Sequence, residues 1–204
     1  MFSGIVQETA DVIECFIEDS VLNYTLKFSH TLLKGLSTGS SVSIDGICQT
    51  VVNIDGPLVH FQAVDETLHL TTLSSLKVGS LVNVERAARF GDEIGGHLLS
   101  GHVMGRATIV KINRAVYTFE GDPIWMKFLF KKGFIAIDGI SLTLTFVDQK
   151  KSHFSVHLIP ETLKRTTLKT KGTGDSVNIE VDAMTQAIVE TVLLFQQTLK
   201  EKHA

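Results

Sequence analysis

Short apolar runs alternate with turn-forming residues about every ten positions along the chain. The runs at 9–16, 24–28, 42–54, 59–64 and 81–84 are separated by clusters of Gly, Asp, Asn and Ser. Short strands at this spacing are typical of small barrels and sandwiches. The pattern predicts an all-β unit that closes into a small barrel, because closure removes exposed strand edges.

The same pattern is written a second time, in the same order. Residues 43–51, which read SIDGICQTV, return as 136–144, which read AIDGISLTL, and residues 82–85 return as 177–180. The offset between matching positions stays between 93 and 97 residues. A constant order at a fixed offset indicates two copies of one domain. The loop at 87–96 is the predicted joint, so we expect domains at 1–97 and 98–184.

Helical periodicity is confined to a few segments. The apolar residues Ile188, Val192, Phe195 and Leu199 recur at steps of four, three and four, which predicts an amphipathic helix over 185–204. Its apolar stripe needs a partner, either the chain's own barrels or a helix of another subunit. Two shorter helices are predicted where strict alternation is lost. These segments are 66–73 and 161–168.

Composition excludes several classes of function. A net charge of -3 with scattered Lys and Arg provides no electrostatic footprint for nucleic acid. The two cysteines, Cys15 and Cys48, favour a reducing cytoplasm over a disulfide-stapled secreted fold. There is no basic, apolar leader and no run of about 18 apolar residues. We therefore expect a soluble, unexported protein without membrane contact.

The repeated motif places small polar side chains on one strand face in each copy. Asp-Gly is a strong turn signal, and the period of two that follows puts Cys48 and Thr50 on one face. Ser141 and Thr143 occupy the matching face of the second copy. A solvated strand face is the ordinary explanation for one strand, but its repetition favours two similar pockets for two similar small molecules.

Familiar catalytic machinery is missing from the pattern. His97 and His102 are five apart and His153 and His157 are four apart, without clustered Cys or carboxylates, so no metal site is predicted. No dinucleotide fingerprint, phosphate loop or nucleophile elbow occurs. The remaining candidates for chemistry are Cys48, Thr50, His102, Lys132, Ser141, Thr143, Asp182 and the Glu-Thr pairs at 66–67 and 161–162.

Five longer motifs closely resemble those of the riboflavin synthase family. They lie at 1–7, 82–87, 92–103, 133–143 and 157–163, and the resemblance extends from residue 1 to about 195. It implies two similar six-stranded barrels and a C-terminal helix at the contact of a homotrimer. The implied reaction is a dismutation of two 6,7-dimethyl-8-ribityllumazine molecules into riboflavin and 5-amino-6-ribitylaminouracil, without cofactor or metal. The implied active site lies between barrels of neighbouring subunits, and association with lumazine synthase stays open.

The resemblance also implies a set of site residues. On this basis we assign proton transfer or water positioning in the C-terminal pocket to His102 together with Thr143 or Ser141. Addition or proton transfer in the N-terminal pocket is assigned to Cys48. Phe2 and Asp182 are further catalytic candidates. The implied substrate contacts are Gly4, Ile5, Val6, Cys48, Gln49, Thr50, Gln62, Ala63, Val64, Asp65, Glu66, Thr67, Gly101, His102, Val103, Lys132, Ser141, Leu142, Thr143, Ile159, Pro160, Glu161, Thr162, Leu163 and Lys164.

A binding protein is the competing interpretation. Lumazine and flavin antenna proteins share the duplicated barrels but bind a fluorophore without turnover. Retention of His102, Lys132, Ser141 and Thr143 in the second copy favours an enzyme.

Overall fold

A computed structural model of the chain describes residues 1–202 and contains two closed six-stranded antiparallel barrels. Around the first barrel the strands follow the order β1-β2-β5-β4-β3-β6. Their bounds are Glu8–Glu18 (β1), Val21–Lys27 (β2), Ser41–Ile44 (β3), Ile47–Asp55 (β4), Leu58–Ala63 (β5) and Leu81–Arg86 (β6).

The second barrel repeats this topology. Around its closed ring the strands follow the order β10-β11-β8-β7-β12-β9. Each strand has the same neighbours as its counterpart in the first barrel, whose number is lower by six. The bounds are Gly105–Asn113 (β7), Val116–Glu120 (β8), Phe134–Ile137 (β9), Ile140–Asp148 (β10), His153–His157 (β11) and Ser176–Val181 (β12). The predicted all-β architecture of two homologous barrels is confirmed.

Five α-helices complete the described chain. They are His30–Leu33 (α1), Asp65–Leu70 (α2), Pro123–Met126 (α3), Pro160–Arg165 (α4) and Ala183–Lys202 (α5). Short 3₁₀ helices follow α2 and α4, at Thr72–Ser75 and Thr167–Thr170. The two short helical segments and the C-terminal helix therefore lie where the sequence predicts them, whereas α1 and α3 are single turns that leave no periodic signal.

The two Asp-Gly turns of the repeated motif pack directly against each other. Asp45 and Gly46 have φ of 44° and 82°, and Asp138 and Gly139 have 46° and 78°. Positive φ at both central residues is the geometry that tight hairpins require, and Asp-Gly adopts it readily. A Cβ on Gly46 would lie 2.6 Å from the backbone nitrogen of Gly139. The turns thus form the contact between the barrels, and glycine is required there.

Reciprocal hydrogen bonds surround this contact. The backbone nitrogen of Asn83 donates to Asp45 Oδ1 and that of Asn178 donates to Asp138 Oδ1, each at 2.7 Å. The side-chain amides cross over: Asn83 Nδ2 donates to the Asp138 carbonyl at 3.0 Å, and Asn178 Nδ2 donates to the Asp45 carbonyl at 2.9 Å. One ion pair breaks the symmetry, since Lys171 Nζ donates to Asp138 Oδ2 at 2.6 Å.

The residues that precede each barrel cross to the other barrel. We call 2–6 and 99–103 the crossing segments; they meet where Phe2 and Leu99 exchange backbone hydrogen bonds of 2.8 and 3.0 Å. Val6 then packs in the core of the second barrel, and Val103 packs against the core of the first. Because each segment serves the opposite barrel, the division of the chain at residue 97 stays a prediction.

Candidate active site

The first half-site lies where crossing segment 99–103 passes over strand β4. Alternation along β4 turns Cys48 and Thr50 outward and Gln49 into the barrel, as the period of two predicts. The backbone nitrogen of Cys48 donates to the Gly101 carbonyl at 2.8 Å. A pocket of about 200 Å³ opens between β4, helix α2 and the crossing segment. It is lined by Ile47, Cys48, Gln49, Glu66, Thr67, Leu70, Thr71, Gly101, His102 and Val103.

The second half-site is the matching place on strand β10, where crossing segment 2–6 passes. The backbone nitrogen of Ser141 donates to the Gly4 carbonyl at 2.8 Å. Gly4 has a φ of +75°, and a Cβ there would lie 2.6 Å from Ser141 Cβ. Gly101 has a φ of +80° and stands equally close to Cys48 Cβ. In both halves, glycine lets the crossing segment lie directly on the strand.

The predicted grouping of His102 with Ser141 and Thr143 is therefore wrong. His102 lines the same pocket as Cys48, on the first barrel. Ile5, its counterpart in the repeat, comes directly after Gly4, which contacts Ser141 on the second barrel. The crossing of the two segments causes this exchange, so residues of one repeat complete the half-site of the other.

Two buried carboxylates hold the crossing segments in place. Glu180, on β12, accepts hydrogen bonds from Ser100 nitrogen at 2.7 Å, Ser100 Oγ at 2.8 Å and Gly101 nitrogen at 3.0 Å. Glu85, on β6, binds Ser3 and Gly4 in the same way, at 2.6, 2.7 and 3.1 Å. Burial raises the pKa of both carboxyl groups, and these hydrogen bonds partly oppose that effect. In the sequence, the only indication of these two carboxylates is that Glu recurs near the end of the matching strands, at positions 85 and 180.

His97 also belongs to the second half-site. From the sequence it is considered only as a metal ligand, and no metal site is predicted. Its Nδ1 lies 2.6 Å from Ser141 Oγ, and its ring stacks on Phe134 with centroids 5.0 Å apart. The second half-site therefore contains an imidazole against its serine.

Several predicted residues occupy positions that limit their role. Phe2 is fully buried beside Leu99 at the barrel contact. Its catalytic assignment stays a prediction. The Gln49 amide lies inside the first barrel, where it accepts a hydrogen bond from Tyr24 Oη at 3.0 Å. Asp182 precedes α5, and its Oδ2 accepts a hydrogen bond of 2.9 Å from the backbone nitrogen of Thr185 in the first turn of that helix.

The other predicted contacts are more accessible, apart from Ala63, which is buried. Thr50, Gln62, Val64, Asp65, Glu66, Lys132, Thr143, Ile159, Pro160, Glu161 and Lys164 are exposed. Thr67, Val103, Leu142, Thr162 and Leu163 are half-buried. Which of them touch a ligand stays a prediction.

Two further observations describe the rest of residues 1–202. No group of three or more His, Cys, Asp or Glu side chains within that range could hold a metal ion. None of the helices described there combines the length and apolar character that crossing a membrane requires.

Comparison with known proteins identifies the family. The sequence model of the lumazine-binding domain matches residues 3–87 and 100–182, one match for each repeat. The chain is 49% identical over 197 residues to riboflavin synthase of Escherichia coli strain K12, covering 94% of this chain and 92% of that protein. It is 48% identical over 194 residues to riboflavin synthase of Chlamydia pneumoniae, covering 94% and 95%. The chain belongs to the riboflavin synthase family.

Solved structures of LumP share the fold of this riboflavin synthase family member. LumP complexed with 6,7-dimethyl-8-(1'-D-ribityl) lumazine superimposes with a TM-score of 0.78 at 26% identity, covering 89% of this chain and 99% of that chain. LumP complexed with riboflavin gives a TM-score of 0.80 at 26% identity, covering 89% and 100%.

Proposed function

We propose that the protein catalyses the dismutation of two molecules of 6,7-dimethyl-8-ribityllumazine, in which one transfers a four-carbon unit to the other. The products are riboflavin and 5-amino-6-ribitylaminouracil. The observation that carries this proposal is the pair of matched half-sites, each formed by a barrel strand and the crossing segment of the other repeat. A reaction between two identical molecules calls for two related pockets.

The two half-sites carry different side chains at the same place. Cys48 and His102 line the first, whereas in the second Ser141 contacts Gly4, the residue before Ile5. Identical substrates therefore meet different groups, which suits a reaction in which one donates and the other accepts. We assign proton transfer or addition to Cys48 and His102 in the first half-site, and proton transfer to Ser141 or Thr143 in the second. Holding the two rings together replaces a bimolecular encounter, which can lower the barrier by about 7 to 11 kcal/mol.

We further propose that the protein acts as a homotrimer, with each active site formed by the first half-site of one subunit and the second of its neighbour. Support comes from α5. Its apolar stripe is exposed, with Ile188 at 59%, Val192 at 49% and Phe195 at 63%, whereas Val189 packs on the second barrel. The stripe therefore does not pack on the chain's own barrels, and burial against another α5 would remove it from water.

The proposed compartment is a reducing cytoplasm. Cys15 and Cys48 are both free thiols, as expected where disulfides do not persist.

A fluorophore-binding antenna is the second candidate, and the LumP structures favour it because their fold is shared. Two riboflavin synthases at 48% and 49% identity, against 26% for LumP, support the enzyme. The two candidates differ in turnover.

Turnover is tested with the purified protein and 6,7-dimethyl-8-ribityllumazine as the sole substrate. We expect riboflavin fluorescence to rise, and Cys48→Ala and His102→Ala to lower the rate by a larger factor than they lower thermal stability. Matched losses of rate and stability in these variants would assign both residues a structural role. Lumazine bound without riboflavin formation would favour the antenna.

The trimer is tested by placing a charge in the stripe. Ile188→Glu puts a carboxylate where the proposed helix contact is apolar, so light scattering should report one chain per particle instead of three. Gln197→Glu adds the same charge to the opposite face of α5 and should leave the trimer intact. An unchanged mass for Ile188→Glu would place the subunit contact elsewhere.

A further inference from the structure

We infer that His97 is a positioning residue that orients the Ser141 hydroxyl toward the ligand of the second half-site. This inference rests on the proposed dismutation. His97 lies in the connection between the barrels, and its Nδ1 is 2.6 Å from Ser141 Oγ. A hydrogen bond of this length to a strand residue fixes the rotamer of the hydroxyl-bearing side chain.

The imidazole itself is held from two sides. Its ring stacks on Phe134 with an interplanar angle of 15° and a centroid separation of 5.0 Å. Only 7% of His97 is exposed. Because the stack fixes the ring plane and the hydrogen bond fixes its rotation, Nδ1 has one direction in which to point, toward Ser141.

The backbone before His97 is shaped for this approach. A Cβ on Gly96 would lie 2.4 Å from the Ser3 carbonyl oxygen, 2.6 Å from Ser141 Cβ and 2.8 Å from Ser141 Oγ. No side chain fits there, so glycine lets the connection run directly over the serine. The Gly-His pair thus acts as a unit that brings an imidazole to the second half-site.

The surroundings of the ring indicate which nitrogen carries the proton. Burial lowers the pKa of His97, and the charge of Asp182 opposes this only in part, so the ring is neutral at neutral pH. Nε2 is buried and makes no hydrogen bond in the described chain. Buried backbone N–H groups without a partner are rarer than buried backbone acceptors without one, and we apply the same preference to the ring nitrogens. Nδ1 therefore carries the hydrogen and donates to Ser141 Oγ.

This tautomer leaves Ser141 free to act as a donor. Its oxygen accepts from the imidazole, and its own hydrogen can point to a carbonyl oxygen or ring nitrogen of the bound lumazine. Cys48, at the matching position, makes no thiol hydrogen bond to any histidine among the residues that the structure describes. The arrangement distinguishes the second half-site from the first beyond the Cys-to-Ser difference itself.

A double-mutant cycle tests the inference, with two histidine variants that separate hydrogen bond from stacking. His97→Phe keeps a ring on Phe134 but removes the donor, whereas His97→Asn places an amide near the position of Nδ1. We expect His97→Phe to lower kcat by at least about tenfold, as loss of one oriented donor does, with a smaller change in KM. His97→Asn should recover most of that loss. Combining His97→Phe with Ser141→Ala should be no worse than Ser141→Ala alone.

Other outcomes would overturn the inference. One is a double variant whose loss of kcat equals the product of the two single losses. Another is an unchanged kcat in His97→Phe. The third is a His97→Asn variant as slow as His97→Phe at equal thermal stability. Failure of the proposed function is separate, because the wild-type protein would then form no riboflavin. In that case the same cycle is measured as affinity for 6,7-dimethyl-8-ribityllumazine by fluorescence titration. Coupled losses of affinity would support the positioning role, and independent ones would refute it.

Discussion

Asp45 and Asp138 occupy the same place in the two repeats but should respond to neutralisation in opposite directions. Both carboxyl groups are buried at the barrel contact, with exposed fractions of 7% and 0%. Among the described residues, Lys171 forms an ion pair with Asp138 and not with Asp45. Burial raises the pKa of Asp45 from 3.8 to about 7; repulsion from Asp138 adds to the shift, and Lys171 and the Asn83 backbone oppose it.

The direction of the shift fixes the pH dependence. The folded protein binds the Asp45 proton more tightly than the unfolded chain, so this group's contribution to stability falls as pH rises from about 4 to about 7. At about 1.4 kcal/mol per pKa unit, the full cost of the ionised group is at most about 4 kcal/mol above pH 7. Asp45→Asn removes this cost and keeps an oxygen for the Asn83 backbone. Its free energy of unfolding should exceed that of the wild type, by a margin that grows across this pH window.

Asp138→Asn is the matched control. It removes the carboxylate that accepts from Lys171 Nζ, which is worth about 2 kcal/mol for a buried charge-assisted bond, so this variant should be less stable at pH 8. Burial lowers the pKa of Lys171, but the attraction of Asp138 and Asp45 outweighs it, and the ammonium stays charged. Urea denaturation at pH 5 to 8 and fixed protein concentration measures both variants. Equal destabilisation by the two substitutions would refute the reasoning.

Two further substitutions probe the contacts that build the half-sites. Gly46→Ala places a methyl 2.6 Å from Gly139 and should lower the melting temperature more than Gly79→Ala, which has the same φ of +82° but no atom within 4 Å; equal losses would mean that backbone strain alone matters. Glu180→Gln weakens the anchor of Ser100, so lumazine affinity measured by fluorescence titration should fall; unchanged affinity would show that the crossing segment holds without the carboxylate.

The barrels and the outward polar faces follow from local patterns, which is why the sequence predicts them. Alternation along β4 and β10 places Cys48, Thr50 and Thr143 on the outer face, and burial in the structure agrees. Each Asp-Gly pair is also predicted correctly as a turn. A period of two depends only on neighbouring residues, so a single chain contains the information.

Contacts between residues of one repeat and the barrel of the other do not follow from local patterns. Comparison of the repeats matches His102 with Ile5 but cannot show that each crosses to the opposite barrel. Glu85 and Glu180 occur at strand ends, where a charged residue is ordinarily solvated, and their burial becomes apparent only once the crossing segments are in place. His97 is hidden for the same reason, because its partner Ser141 lies 44 residues away in the sequence.

The most direct test of the central claim is the stoichiometry of turnover. The purified protein is incubated with 6,7-dimethyl-8-ribityllumazine alone, and substrate and both products are separated and quantified over time. The account predicts one riboflavin and one 5-amino-6-ribitylaminouracil for every two lumazine molecules consumed. Lumazine that stays bound and unconverted would contradict it.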